Sequence, residues 1–164
     1  MRTAVIDSSP LINLVHLELA ETLAFHFDFV YVPRAVQVEV NTKHRFRYRL
    51  RKLYRSGLFV RCISADRTNV ELLRFDVDAG EAEALVQAAE KNAVAFIGDE
   101  KRARGIGSNL GLKPVGTVRI LARLHLEDRA GDTRELVKKL RRDLKFRVSE
   151  DVIRDAIVQA HEPI

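Results

Sequence analysis

Five short apolar runs, separated by longer stretches with helical spacing, constrain this chain more than any other feature. The runs are Ala4 to Ile6, Val30 to Val32, Leu58 to Ile63, Val94 to Ile97 and Pro114 to Val115. Strands that alternate with helices predict a parallel sheet whose crossover helices cover its faces. Pro10 and Pro33 each stand just past a run, where proline suits the first turn of a helix. Leu11, Leu14, Val15 and Leu19 then share a face of the first helix, Leu85, Ala88 and Ala89 a face of the one after Gly80, and Ile106 and Leu110 a face of the one after Asp99. Asp132 three residues before Glu135 reads as a capping box, and Ser149 before Glu150 and Asp151 as a second helix start. No repeat, low-complexity segment or Pro/Gly/Ser linker divides residues 1–164. The chain therefore reads as one α/β domain whose C-terminal third is helical.

Several functional classes drop out on composition. With 164 residues and 46% apolar content the chain can bury an ordinary core without disulfides. Cys62 is the only cysteine, so neither an internal disulfide nor a cysteine zinc site can form, and it reads as a small buried hydrophobe. An aspartate and a proline break the N-terminal apolar stretch, and no run reaches membrane-spanning length, so the expectation is a cytoplasmic protein with no membrane segment.

Charge points to a polyanion. Lys and Arg number 28 against 23 Asp and Glu, a net of +5. No acid occurs between Val40 and Ala65, and the stretch KHRFRYRLRKLYR interleaves cations with Phe46, Tyr48 and Tyr54. Its arginines alternate as in a strand, whereas Phe46, Leu50, Leu53 and Tyr54 form a helical face; because it follows a helical segment, a helix is expected. Its function is either a groove wall for phosphates, a docking surface for an acidic peptide, or a solvated face.

Four carboxylates stand where a parallel sheet brings side chains together. Asp7 directly follows the first run and Asp99 the fourth; Glu39 lies in the helix after the second run, and Glu81 begins a mid-chain helix. In an open parallel sheet ligands bind beyond the carboxyl ends of the strands, so Asp7 and Asp99 should face one pocket. Crowded carboxylates repel one another unless a cation lies among them, and oxygen ligands without Cys or clustered His favour Mg²⁺ or Mn²⁺. Each acid also has a plainer reading. Asp7 suits a helix cap, Glu39 a solvated helix charge, and Glu81 the capping box begun by Asp78. Asp76, Asp78, Glu83 and Glu100 read as caps or solvated charges, and His16, His26, His44, His125 and His161 show no metal spacing.

The ordered elements AVIDSSPLI, VPRAVQVEV, DAGEAEAL, FIGDEKRARG and LGLKPVGT resemble the PIN-domain family over essentially the full chain. The match is closest to the branch with G-E-x-E-A and D-E-x-x-A-R motifs, related to VapC-type toxins. The resemblance implies a three-layer α/β/α sandwich around a parallel sheet. It further implies a Mg²⁺- or Mn²⁺-dependent nuclease, often the ribonuclease toxin of a toxin-antitoxin pair, with RNA, an antitoxin and a second copy of the chain as partners. Its acidic set carries over to Asp7, Glu39, Glu81 and Asp99 as catalytic and metal-holding residues. Glu83 competes with Glu81 for the third position, and the eighteen-residue gap to Asp99 favours Glu81.

The reaction expected is metal-assisted hydrolysis of phosphodiesters in single-stranded RNA. Arg45, Arg47, Arg49, Arg51, Lys52 and Arg55, with Arg102 and Arg104 nearest the acids in sequence, are the candidate phosphate contacts. A rival reading is a PIN-like module that binds RNA or a protein without cleaving. A phosphotransferase is disfavoured because its Asp-x-Asp motif is absent; Ser8 and Ser9 follow Asp7.

Overall fold

The computed structural model describes residues 1–164. Five strands form one parallel sheet: β1 (Thr3–Ile6), β2 (Phe29–Pro33), β3 (Phe59–Cys62), β4 (Ala95–Ile97) and β5 (Lys113–Val115), in the order β3-β2-β1-β4-β5. Every expected run is a strand, although β3 stops at Cys62 and leaves Ile63 exposed. The connections are the helices α1 (Ser8–His16), α2 (Arg34–Thr42), α3 (Arg47–Arg55), α4 (Arg67–Leu73), α5 (Ala79–Glu90) and α6 (Lys101–Asn109). α7 (Thr117–Leu126), α8 (Thr133–Leu144) and α9 (Glu150–Gln159) make the helical C-terminal third.

The period-two alternation of strand side chains builds the three layers. Ala4 and Ile6 of β1 and Ala95 and Ile97 of β4 enter the larger core, against α1, α3, α7 and the packed helices α8 and α9. Val5 and Phe96, from the same strands, point the other way into a smaller core under α5 and α6. Phe96 leaves no room for a side chain beside it: a Cβ on Gly98 would lie 2.5 Å from its ring, so the residue before Asp99 has to be small. Leu110 departs from expectation. α6 presents Ala103 and Gly107 to the core, and Leu110, just past its end, is about half exposed. The close approach of α6 to Phe96 and Leu85 uses Gly107 rather than a leucine.

The basic stretch is helical, as its apolar spacing requires. A short 3₁₀ turn (His44–Phe46) leads into α3, and Phe46, Leu50 and Leu53 are buried. No helix is long and apolar enough to cross a membrane.

Candidate active site

Strand order reverses at β1, whose neighbours β2 and β4 lead to opposite edges of the sheet. At such a switch point the loops leaving adjacent strands part and open a crevice. Asp7 leaves β1 there, its backbone N–H donating to the Ile97 carbonyl of β4 at 2.9 Å, and Asp99 leaves β4 two residues later.

Asp7 is 4% exposed, precedes α1, and makes no side-chain capping bond, so the helix-cap reading fails. Its Oδ1 is fully enclosed and has no hydrogen-bond partner. A buried polar atom left in this way is destabilising unless something absent from the chain satisfies it. Gly80 keeps the space beside it open, since a Cβ there would stand 3.3 Å from Asp7 Oδ1 and 3.4 Å from Asp78 Oδ1. Burial raises the Asp7 pKa to about 8; the Ser8 amide opposes this, and the charges of Asp78, Glu81 and Glu39 add to it.

Glu81 takes the capping-box place that Asp78 opens in the sequence. Its Oε2 accepts from the Asp78 amide at 3.2 Å while Asp78 Oδ1 accepts from the Glu81 amide at 2.9 Å, a complete capping box at the start of α5. Burial, then the Asp78 charge, lifts its pKa to about 7. Glu83 points elsewhere: Oε2 accepts from the Ala35 amide at 2.6 Å, in the first turn of α2. A carboxylate on the amides of a helix N-terminus has a structural role. Glu39 is exposed and lines the same cleft as Asp99.

Asp99 is a held carboxylate. Thr117 donates from its amide to Oδ1 and from its hydroxyl to Oδ2, both at 2.7 Å; Ser9 and Asn13 donate to Oδ2 at 3.1 and 3.2 Å. Asn13 also reaches the Thr117 hydroxyl at 3.3 Å, which links α1 to α7 through the acid. Burial raises the Asp99 pKa against the pull of these donors and of the Arg104 charge. Oδ2 is fully used, and Oδ1, with one protein donor, keeps acceptor capacity. Ser9, Asn13 and Thr117 were not singled out from sequence. The available signals were Thr117 just past β5, as Asp7 and Asp99 are just past β1 and β4, and a polar pair four apart on α1.

No three His, Cys, Asp or Glu side chains converge closely enough to cage an ion unaided. That arrangement suits Mg²⁺, which usually keeps several waters and takes one or two carboxylates plus substrate phosphates. The residues fit such an ion. Asp7 has a buried oxygen in need of a partner, and burial, reinforced by neighbouring acids, opposes ionisation of Asp7 and Glu81, which a cation reverses.

The expected phosphate contacts divide. A cleft of about 740 Å³ holds Asp99 and Glu39 together with Lys43, Arg45, Lys145 and Arg147. Lys145 ends α8 in the left-handed conformation at φ 56°, and neither it nor Arg147 was anticipated. Arg104 reaches the site, since its Nη1 would lie 2.9 Å from a Cβ on Gly116 and that Cβ 3.5 Å from Asp99 Oδ1. Arg102 instead pairs with Asp76 in a depression shared with Glu81. Arg49 pairs with Glu18 at 2.7 Å and Lys52 with Glu21 at 3.5 Å, around a separate depression, so these two are not the unopposed cations that the local sequence suggests. Arg47 donates to the Asn41 carbonyl at 2.8 Å; Arg51 and Arg55 are exposed.

The strand order β3-β2-β1-β4-β5, with carboxylates just past β1 and β4, defines a parallel α/β protein with acids gathered at the switch point of its sheet. A family model for the PIN domain matches residues 3–162, and the chain belongs to that family. PIN domains are commonly nucleases that use divalent metals, so a nuclease-type function on nucleic acid follows at that level. No curated protein and no solved structure gave a match.

Proposed function

We propose that this chain is a Mg²⁺- or Mn²⁺-dependent endoribonuclease of single-stranded RNA. The observation that carries the reading is the enclosed, unpartnered Asp7 Oδ1 beside buried Glu81 and the exposed Asp78 and Glu39: a buried carboxylate oxygen that is electrostatically incomplete without a cation. Asp7, Glu39, Glu81 and Asp99 are the residues that would hold the ion. A divalent ion bound there supplies an acidified water and charge stabilisation at the scissile phosphate.

The chain's own groups do the remainder. Thr117, Ser9 and Asn13 fix the Asp99 carboxylate, so its position is set before substrate arrives. Lys43, Arg45, Lys145 and Arg147 line the approach and bind phosphates without reading sequence. Phe146, half-buried on the same cleft, offers a ring on which an unpaired base stacks, which favours single strands. In the cell the activity would serve as the cytoplasmic toxin of a pair, restrained by an antitoxin. A small open reading frame beside the gene would support that role.

The test is cleavage of mixed single-stranded RNA by wild type and Asp99→Asn with Mg²⁺ or Mn²⁺. The variant should lose about 100-fold or more in rate, as when one electrostatic stabiliser is removed, and keep its RNA affinity in EDTA. Wild type that cuts nothing with either metal refutes the enzyme and leaves an RNA-binding module.

A further inference from the structure

A second depression, of about 470 Å³, lies between α6, α7 and α9 and meets the first at Asp99, Glu100, Phe146 and Arg147. Four cations line it: Lys101 and Arg104 from α6, Arg119 from α7 and Arg147 from the α8–α9 loop. Of the four, only Arg119 has a carboxylate within ion-pair range, the exposed Glu162, whose Oε2 is 3.8 Å from Nη2 and too far for a hydrogen bond. The Arg119 side chain is only 11% exposed, yet Nε and Nη2 are enclosed with no acceptor. A guanidinium is always charged and presents a planar fork of donors, so burying two of its nitrogens without an acceptor is destabilising. The acids on the pocket do not offset this. Asp99 is engaged by Thr117, Ser9 and Asn13, while Glu100 and Asp155 are at the surface and form no ion pair with the four cations. Gly116 and Val118 bring the positive end of α7 to the same wall.

We propose that this depression is a phosphate-binding pocket, which takes an RNA phosphate neighbouring the scissile one. The inference deepens the nuclease reading and rests on it only for the identity of the strand. The chemistry suits an oxyanion: a planar arginine fork and three further cations beside the N-terminus of α7. Phe146 and Arg147 border both depressions, so a strand lying in the first cleft passes them to place a neighbouring phosphate in the second. The phosphate is either internal to the strand or at its end.

The experiment is calorimetric titration of metal-free protein in EDTA with inorganic phosphate, AMP and a dinucleoside monophosphate. Wild type should bind about one phosphate per chain saturably. Arg104→Gln and Arg147→Gln should each weaken binding about 10-fold, the loss expected for a charge-assisted hydrogen bond. Arg119→Gln should do the same if its melt matches wild type; the two more exposed variants carry the test if it does not. AMP binding more tightly than the dinucleoside monophosphate assigns the pocket to a terminal phosphate, and equal binding to an internal one. Unsaturable binding, or a loss equally produced by Arg51→Gln on α3, overturns the pocket. Because neither metal nor cleavage enters, phosphate binding by a protein that never cuts RNA sinks only the nuclease reading. Cleavage without phosphate binding sinks only this one.

Discussion

Replacing Asp7 by asparagine should stabilise the metal-free protein while removing its response to metal. In the folded chain the Asp7 pKa stands at about 8 against an ordinary 3.8, chiefly through burial. The folded state therefore binds more protons than the unfolded state across that interval, and wild-type stability falls as pH rises from about 4 to 8. Below the window both states are protonated and the side chain is neutral. Above it the folded state carries an enclosed negative charge whose Oδ1 has no partner. Four pKa units correspond to about 5 kcal/mol, a ceiling, since relaxation and water entry lower the penalty of a buried ion to a few kcal/mol. Asparagine keeps the shape and loses the charge. Its advantage should be near zero at pH 4 and about 2 kcal/mol by pH 8.5. Urea unfolding of both proteins in EDTA at several pH values measures it. With Mn²⁺ at 100 times its dissociation constant, wild type alone should then gain about 2.7 kcal/mol. An asparagine variant less stable than wild type at pH 8.5 in EDTA, or a difference that does not change with pH, would refute the reasoning.

The two neighbouring glutamates should separate cleanly. Glu83→Gln weakens a charge-assisted bond to the Ala35 amide and should cost about 1 kcal/mol in stability with Mn²⁺ affinity retained; Glu81→Gln should lower Mn²⁺ affinity in calorimetry, and the reverse pattern would exchange their roles. Replacing Lys43, Arg45 and Arg147 with glutamine should reduce the slope of log RNA affinity against log salt by about 0.7 for each lost phosphate contact. The same change at Arg49 and Lys52, which already face Glu18 and Glu21, should leave the slope unchanged.

What could be read from the chain itself follows from the range of the interactions. The strands were legible because parallel strands covered on both faces need short continuous apolar runs, and Asp7 and Asp99 because each interrupts such a run at its carboxyl end. The helical state of residues 47–55 followed from Phe46, Leu50 and Leu53, which the packing buries as their spacing requires. Relations between distant segments were not legible. Arg49 looks unopposed along the chain, and its partner Glu18 lies 31 residues earlier. Asn13 and Thr117 are 104 residues apart and meet only because α1 and α7 flank the same carboxylate. The choice between Glu81 and Glu83 rested on a gap in the sequence; the bond from Glu83 to the Ala35 amide adds a physical reason, since it gives that side chain another task. Lys145 and Arg147 carried no local signal, because they reach the cleft through the turn after α8.

The central claim, that the buried carboxylate at the end of β1 is a cation ligand, is tested most directly by locating the ion. Crystals soaked in Mn²⁺ should show an anomalous peak within about 2.0–2.6 Å of Asp7 Oδ1, and the peak should vanish in Asp7→Asn. Saturating Mn²⁺ with no peak at Asp7, or a peak that persists in the asparagine variant, would contradict it.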